Sequence, residues 1–161
     1  MNRYDLPEGL VQIEITESVG DMDIVLINNI AQSLISMGFR LSMDDFGTKY
    51  SNLEMLFKFP FSIAKIDRSL VKNLESNEKS RIMLKHLISM IMELGIECVA
   101  EGAENEEQVR LLQQFGCNII QGYFYSKPVT FDVFTSEFVE KTKESIVIHN
   151  FIYNAAINRR L

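Results

Sequence analysis

The stretch Leu41-Ser-Met-Asp-Asp-Phe-Gly-Thr-Lys-Tyr-Ser51 decides the fold of this chain. Apolar and polar side chains alternate from Phe39 onward, which predicts a half-buried strand. That strand ends in the adjacent carboxylates Asp44 and Asp45, and a turn leads to Ser51, a candidate helix cap. Two neighbouring acids repel each other unless a positive group lies between them, and a hard divalent cation with oxygen ligands is the usual partner. An acidic surface loop is the alternative, because Asp and Gly are common in turns.

Strand patterns and helix patterns alternate along the rest of the chain. The predicted strands are 11–15, 39–43, 62–67, 96–100 and 118–121. The predicted helices run from Asp21 or Asp23 to about Met37, over 51–57, over 79–94, from the cap Asn105 to Gly116, and from 130 to about 143. This order predicts parallel βα units in an α/β fold.

Charged and amide side chains cluster where these strands end. Five acids come from three strand ends, and a lysine and a glutamine end two further strands: Glu14, Asp44, Asp45, Glu101, Glu104, Lys65 and Gln121. The carboxyl ends of parallel strands carry the active site in α/β folds. Acids without a function would scatter over helix surfaces, so the convergence predicts a metal or phosphate site.

Composition excludes several classes of protein. The chain has 161 residues, enough for one domain with a core, and a formal net charge of -6, which argues against a nucleic-acid surface. It has neither an apolar run long enough to cross a membrane nor a signal-peptide pattern at Met1. Cys98 and Cys117 are isolated in the sequence, which predicts two buried free thiols in a cytoplasmic protein.

Five segments together resemble a known family. They are Glu14-Ile-Thr-Glu17-Ser18, Asp44-Asp-Phe-Gly-Thr48, Lys65-Ile-Asp-Arg-Ser69, Val99-Ala-Glu-Gly-Ala-Glu104 and Gln121-Gly-Tyr-Phe-Tyr-Ser-Lys-Pro128. In this order and spacing they closely resemble the EAL-domain family, bacterial phosphodiesterases that hydrolyse cyclic di-GMP to linear pGpG. The resemblance runs from about residue 4 to about residue 142. It implies a TIM-like (β/α) barrel, of which this chain holds about the last five βα units.

The resemblance also implies a role for each site residue. Glu14, Asp44 and Asp45 are implied to hold divalent metal, Mg²⁺ or Mn²⁺. Glu17 is implied to tether the loop that follows the two aspartates.

The remaining implied roles concern water and substrate. Lys65 is implied to orient or activate the attacking water, and Glu101 to act as general base. Glu104 and Gln121 are implied to complete the site near metal and water. The alternatives for Lys65 are a snorkelling side chain or an ion pair with Asp67.

Three features depart from the family pattern. The sequence contains no Glu-Ala-Leu tripeptide, whose glutamate is a family metal ligand, and Lys49 stands where the family usually has Gly. We expect a partial EAL domain over residues 1–144, beginning just before the fourth strand of the family barrel. Residues 145–161 are expected to form an apolar, helical tail that covers exposed core or mediates dimerisation.

Two functions follow as expectations. The first is a cyclic di-GMP phosphodiesterase whose isolated chain is impaired or depends on a homodimer or on a complementing chain with the missing strands. The second is a degenerate, non-catalytic EAL module that binds cyclic di-GMP or another protein.

Overall fold

The strands form one parallel sheet. The computed structural model describes residues 7–16, 24–48 and 52–139. The strands lie across the sheet in sequence order, each hydrogen-bonded to the next: β1 (Gln12–Thr16), β2 (Arg40–Phe46), β3 (Ile63–Ile66), β4 (Glu97–Glu101) and β5 (Ile119–Gln121). The predicted α/β fold with parallel βα units is confirmed.

Helices follow the strands in the predicted alternation. They are α1 (Ile24–Ser36), α2 (Asn52–Lys58), α3 (Arg68–Lys72), α4 (Glu78–Glu93), α5 (Glu106–Gln114) and α6 (Phe131–Phe134), the last continuing into a π-helical turn, Thr135–Val139. The predicted cap of α5 is confirmed, because the Asn105 side chain accepts from the Gln108 N–H. Within the described ranges, none of these helices has the length and apolar character that crossing a bilayer requires.

The site residues lie on the face of the sheet opposite the one that packs against the helices. Neighbouring strands keep their residues in register, so paired side chains share a face and alternate along each strand. One face packs against the helices and supplies much of the core, with Leu41, Met43, Ala64, Ile66, Cys98 and Ala100. The opposite face carries Glu14 beside Ser42, and Glu101 beside Gln121. The site residues therefore project away from the helix-packed core.

A bulge interrupts β2 at the two aspartates. The register jumps between Met43 and Phe46, so that Asp44 and Asp45 together face the single residue Lys65 of β3. Asp45 takes a positive φ of 56°, which is uncommon for a residue other than glycine. Bulges of this kind re-aim side chains and are frequent beside active sites.

Some elements differ from the prediction, and some predicted features involve residues that the structure does not describe. Helix α3 was not predicted, because five residues after Asp67 are too short to show a helical period. The last predicted helix is α6 and its π-helical continuation as far as Val139. The proposed cap Ser51, the departure at Lys49 and the tail 145–161 lie outside the described residues.

Candidate active site

One lysine ammonium lies among three carboxylates at the strand ends. Lys65 Nζ lies 2.8 Å from Glu14 Oε1, 2.9 Å from Asp44 Oδ1 and 2.8 Å from Glu101 Oε1. These three acids belong to β1, β2 and β4, and Lys65 belongs to β3 between them. The structure therefore brings together four of the predicted site residues on four adjacent strands, and we call this set the lysine cluster.

Burial makes the lysine cluster electrostatically strong. The Lys65 side chain is only 10% exposed, compared with 36% for Glu14, 20% for Asp44 and 21% for Glu101. Burial lowers the pKa of Lys65, but the hydrogen bonds from its ammonium to Glu101, Glu14 and Asp44 outweigh that effect and raise the pKa above its ordinary value. Lys65 is therefore a fixed positive charge at neutral pH.

Glu101 is an acid of the cluster whose pKa is raised by burial. Burial raises the pKa of Glu101, and the hydrogen bond from Lys65 opposes this shift without cancelling it. A carboxylate whose pKa is raised towards neutrality holds a proton better than an ordinary glutamate does. Such a group suits general acid–base chemistry.

Asp45 stands apart from the lysine cluster although it neighbours Asp44 in sequence. The bulge leaves Asp45 exposed, on the solvent side of β2. Partial desolvation raises the pKa of Asp45, and repulsion from Asp44 and Asp67 adds to the shift. Asp45 therefore lies where a further cation would relieve repulsion between carboxylates.

The alternative partner for Lys65 is not used. Asp67 caps α3, because its side chain accepts a hydrogen bond from the Ser69 N–H at 2.9 Å. The Lys65–Asp67 ion pair, one of the two alternatives for Lys65, is absent among the described residues, and the ammonium lies among Glu14, Asp44 and Glu101.

The loops after β4 and β5 lock onto each other beside the lysine cluster. The Ala103 N–H donates to the Gln121 carbonyl, and the Phe124 N–H donates to the Ala103 carbonyl. Gly122 permits this approach, because a Cβ at that position would collide with the Ala103 backbone. The Gln121 side chain is thereby placed at the same edge of the sheet as Glu101, its partner in register.

Glu104 contributes backbone rather than side chain to this arrangement. Its N–H donates to Gln108 Oε1 at 2.8 Å, which completes the start of α5, and its side chain is exposed. Glu17, the other predicted catalytic acid, lies outside the described residues.

The donor set of the lysine cluster suits a hard divalent cation. Glu14 and Asp44 each place a carboxylate oxygen within 2.9 Å of one nitrogen, so their oxygens converge on one point. In the described ranges, no group of three or more His, Cys, Asp or Glu residues is arranged to hold a metal ion. Glu14, Asp44 and Glu101 converge on the Lys65 ammonium. The oxygen donors of Glu14 and Asp44 are of the type that the predicted metal takes, although in this structure they bind the Lys65 ammonium.

Sequence reasoning missed two features at this edge of the sheet. Ser42 is fully buried on the face of β2 that carries Asp44, a position that the two-residue alternation of the strand could have revealed. Exposed aromatic side chains also follow Gln121, and Lys127 Nζ lies 5.7 Å from the centre of the Tyr123 ring.

A protein-family model described as "EAL domain" matches residues 1–128 of this chain. The signaling protein YkoW of Bacillus subtilis is 35% identical over 144 residues, which cover 89% of this chain and 18% of that protein. Cyclic di-GMP phosphodiesterase RocR of Pseudomonas aeruginosa is 37% identical over 135 residues, which cover 80% of this chain and 33% of that protein. The chain therefore spans between 18% and 33% of the length of these two curated relatives.

Solved structures show the same similarity in three dimensions. The EAL domain of Mycobacterium smegmatis DcpA superposes with a TM-score of 0.82 at 36% identity, covering 87% of this chain and 63% of that one. The phosphodiesterase PaMucR, in a complex with c-di-GMP, gives a TM-score of 0.74 at 33% identity, covering 81% of this chain and 53% of that one.

Proposed function

The chain belongs to the EAL domain family, and we propose that it carries part of a phosphodiesterase site that hydrolyses cyclic di-GMP to linear pGpG. Relatives of this chain are named cyclic di-GMP phosphodiesterases. A structure similar to it is a phosphodiesterase in complex with that nucleotide.

The lysine cluster is the observation that carries the proposal. It joins Glu14, Asp44 and Glu101 to Lys65 at the carboxyl ends of four adjacent parallel strands. Hydrolysis of a phosphodiester needs a positive group near the phosphate and a base near the attacking water. The cluster provides Lys65 for the first task and Glu101 for the second.

Lys65, Glu101 and Gln121 each have a separate role in the proposed reaction. The ammonium of Lys65 is held on a strand, so it can stabilise negative charge that develops on the phosphate oxygens without reorganising. The carboxylate of Glu101 accepts a proton from the attacking water, a role that its raised pKa favours. The interlocked loops at Ala103 and Gly122 keep the Gln121 amide at the same edge to orient that water.

Divalent cations belong to the same proposal. Glu14, Asp44 and the exposed Asp45 would hold Mg²⁺ or Mn²⁺, which would supply the positive charge that a phosphodiester anion and hydroxide both need. The fit rests on the oxygen donors of Glu14 and Asp44, which already converge on one cationic atom.

We propose further that these 161 residues alone have low activity. The sequence contains no Glu-Ala-Leu tripeptide, and the family pattern assigns a metal ligand to its glutamate. A segment that carries this glutamate, in the same polypeptide or in another chain, would then complete the metal site.

The test is hydrolysis of cyclic di-GMP with Mg²⁺ or Mn²⁺, with pGpG measured by chromatography. The chain is assayed alone and mixed with a separately produced segment that carries a Glu-Ala-Leu strand. We expect the mixture to form more pGpG than the chain alone, and Asp44→Asn to abolish that product. The matched control is Asp132→Asn, which changes an exposed aspartate on α6 and should leave hydrolysis unchanged. Nucleotide binding without any pGpG in the mixture would contradict the proposed function.

A further inference from the structure

Ser42 carries a hydroxyl that the rest of the described chain does not satisfy. Its side chain is fully buried, at 0% exposure, and its Oγ has no hydrogen-bond partner among the described residues. A buried polar atom without a partner destabilises a fold, and such atoms are rare in proteins. Alanine would fill nearly the same space without that penalty, so packing alone does not explain a serine here.

The register of the sheet places Ser42 beside the lysine cluster. Ser42 is paired with Glu14 across β1 and β2, so the two side chains lie next to each other on the same face. Asp44 follows two residues later in β2, on the same face. Ser42 therefore adjoins one acid of the cluster across the sheet and a second one along its own strand.

The cation that binds the Glu14 carboxylate decides which of its oxygens remain free to accept a hydrogen bond. In this structure its Oε1 is bound to the Lys65 ammonium at 2.8 Å. An ionised carboxylate has about four lone-pair sites, and an oxygen that a divalent cation leaves free requires a donor. Carboxylates that bind metal are themselves usually hydrogen-bonded by neighbouring groups. A serine hydroxyl can rotate to donate without any movement of the backbone.

We propose that Ser42 is a positioning residue for the metal-bound state, in which its Oγ–H donates to the carboxylate of Glu14. The inference rests on the proposed function, because it requires that the Glu14 carboxylate binds a divalent cation. It also explains the unsatisfied hydroxyl. The hydroxyl destabilises the metal-free chain, and it donates a hydrogen bond to Glu14 once the metal binds.

The proposal predicts two effects of opposite sign for Ser42→Ala. Without metal, removal of an unsatisfied buried hydroxyl should raise the midpoint of thermal unfolding by several degrees. With metal, loss of the donor to Glu14 should weaken Mn²⁺ binding by about 10–100-fold. A purely structural serine would change the unfolding midpoint and leave the Mn²⁺ affinity unaltered.

Thermal unfolding uses the full chain without nucleotide, and Mn²⁺ binding uses that chain mixed with the segment that carries a Glu-Ala-Leu strand. Thermal unfolding is followed in the presence of a chelator, and free Mn²⁺ is titrated by electron paramagnetic resonance. Ser62→Ala is the matched control, because the Ser62 hydroxyl donates to the Leu41 carbonyl at 3.1 Å. That substitution should lower the unfolding midpoint and leave Mn²⁺ binding unchanged.

Each outcome decides the matter. A higher unfolding midpoint together with weaker Mn²⁺ binding in Ser42→Ala supports the proposal. Equal Mn²⁺ affinity in the parent chain and Ser42→Ala overturns the role of Ser42 and leaves the proposed function standing. A lower unfolding midpoint for Ser42→Ala would show that the hydroxyl is already satisfied without metal, which also overturns it. Absence of Mn²⁺ binding by the mixture of the parent chain and the Glu-Ala-Leu segment would overturn the proposed function and, with it, the role of Ser42.

Discussion

Replacing Lys65 with Met should destabilise the metal-free chain more than any surface ion pair could. The ammonium is 10% exposed and faces three carboxylates at 2.8–2.9 Å, so Lys65→Met leaves Glu14, Asp44 and Glu101 crowded without a cation. Removing one member of a buried ion pair costs about 3–5 kcal/mol. The three acids keep between 20% and 36% of their side-chain surface exposed, so we expect the lower end, about 3 kcal/mol at pH 7.

The loss should depend on pH in a defined direction. Folding raises the pKa of Lys65, so its contribution to stability is fully present below its unfolded pKa and is lost as the pH rises through its folded pKa. The pKa of Glu101 is also raised in the folded chain, and without Lys65 it should rise further. An acid whose pKa is raised by folding lowers the unfolding free energy of the chain as the pH rises from its unfolded pKa to its folded pKa. The difference in unfolding free energy between parent and Lys65→Met should therefore shrink as the pH falls below the folded pKa of Glu101.

Urea unfolding with a chelator, at several pH values, measures this difference. The matched control is Lys58→Met, which removes an exposed ion pair with Glu54 one helical turn away and should cost at most about 0.5 kcal/mol. Addition of Mg²⁺ should restore part of the stability of Lys65→Met, because the same carboxylates would accept the ion. Equal costs for Lys65→Met and Lys58→Met at pH 7 would refute the reasoning, because the lysine cluster would then behave as solvated surface.

Three further substitutions test the surroundings of the lysine cluster. Glu101→Gln should lower kcat for cyclic di-GMP in the complemented assay by about 100–10,000-fold by removing the general base. Gly122→Ala should lower the unfolding free energy by about 1–3 kcal/mol in urea titration, because its Cβ collides with the Ala103 backbone. Asn105→Ala should cost about 1 kcal/mol in the same titration, because it removes the acceptor for the Gln108 N–H, and an unchanged midpoint would show that the cap is dispensable.

The sequence predicts the sheet well because its strands leave two independent signals. Each strand is a short run of residues that are mostly apolar or alternate between apolar and polar, and a polar site residue or a turn residue ends it. Gly38, Gly95 and Gly116 lie at or directly after the ends of three predicted helices, and all three adopt positive φ after α1, α4 and α5. The buried thiols of Cys98 and Cys117 were also predicted, and both are free and buried. Local patterns of this kind are readable because each depends only on near neighbours in the chain.

The geometry of the lysine cluster could not be read in the same way. The sequence placed Lys65, Glu14, Asp44 and Glu101 at one edge, but it left an ion pair with Asp67 open as an alternative for Lys65. The side chains of Lys65 and Asp67 diverge, because Asp67 leaves the strand to cap α3. The bulge at Asp44 and Asp45 was equally hidden, since it depends on how β2 pairs with β3 and not on either strand alone.

The lysine cluster links the stability of the metal-free chain to its affinity for metal. Lys65 neutralises the same carboxylates that a divalent cation would take, so an ion that binds Glu14 and Asp44 must compete with an internal cation. A change that strengthens the lysine cluster should therefore weaken metal binding, and a change that weakens it should have the opposite effect. Lys65→Met falls in the second class, with a less stable metal-free chain that Mg²⁺ partly restores. Ser42→Ala should stabilise the metal-free chain and weaken metal binding for a different reason. It removes an unsatisfied hydroxyl from the metal-free state and a hydrogen-bond donor from the metal-bound state. Stability and metal affinity measured for both variants distinguish two roles. Lys65 competes with the metal for the carboxylates, whereas Ser42 donates a hydrogen bond to a carboxylate that binds the metal.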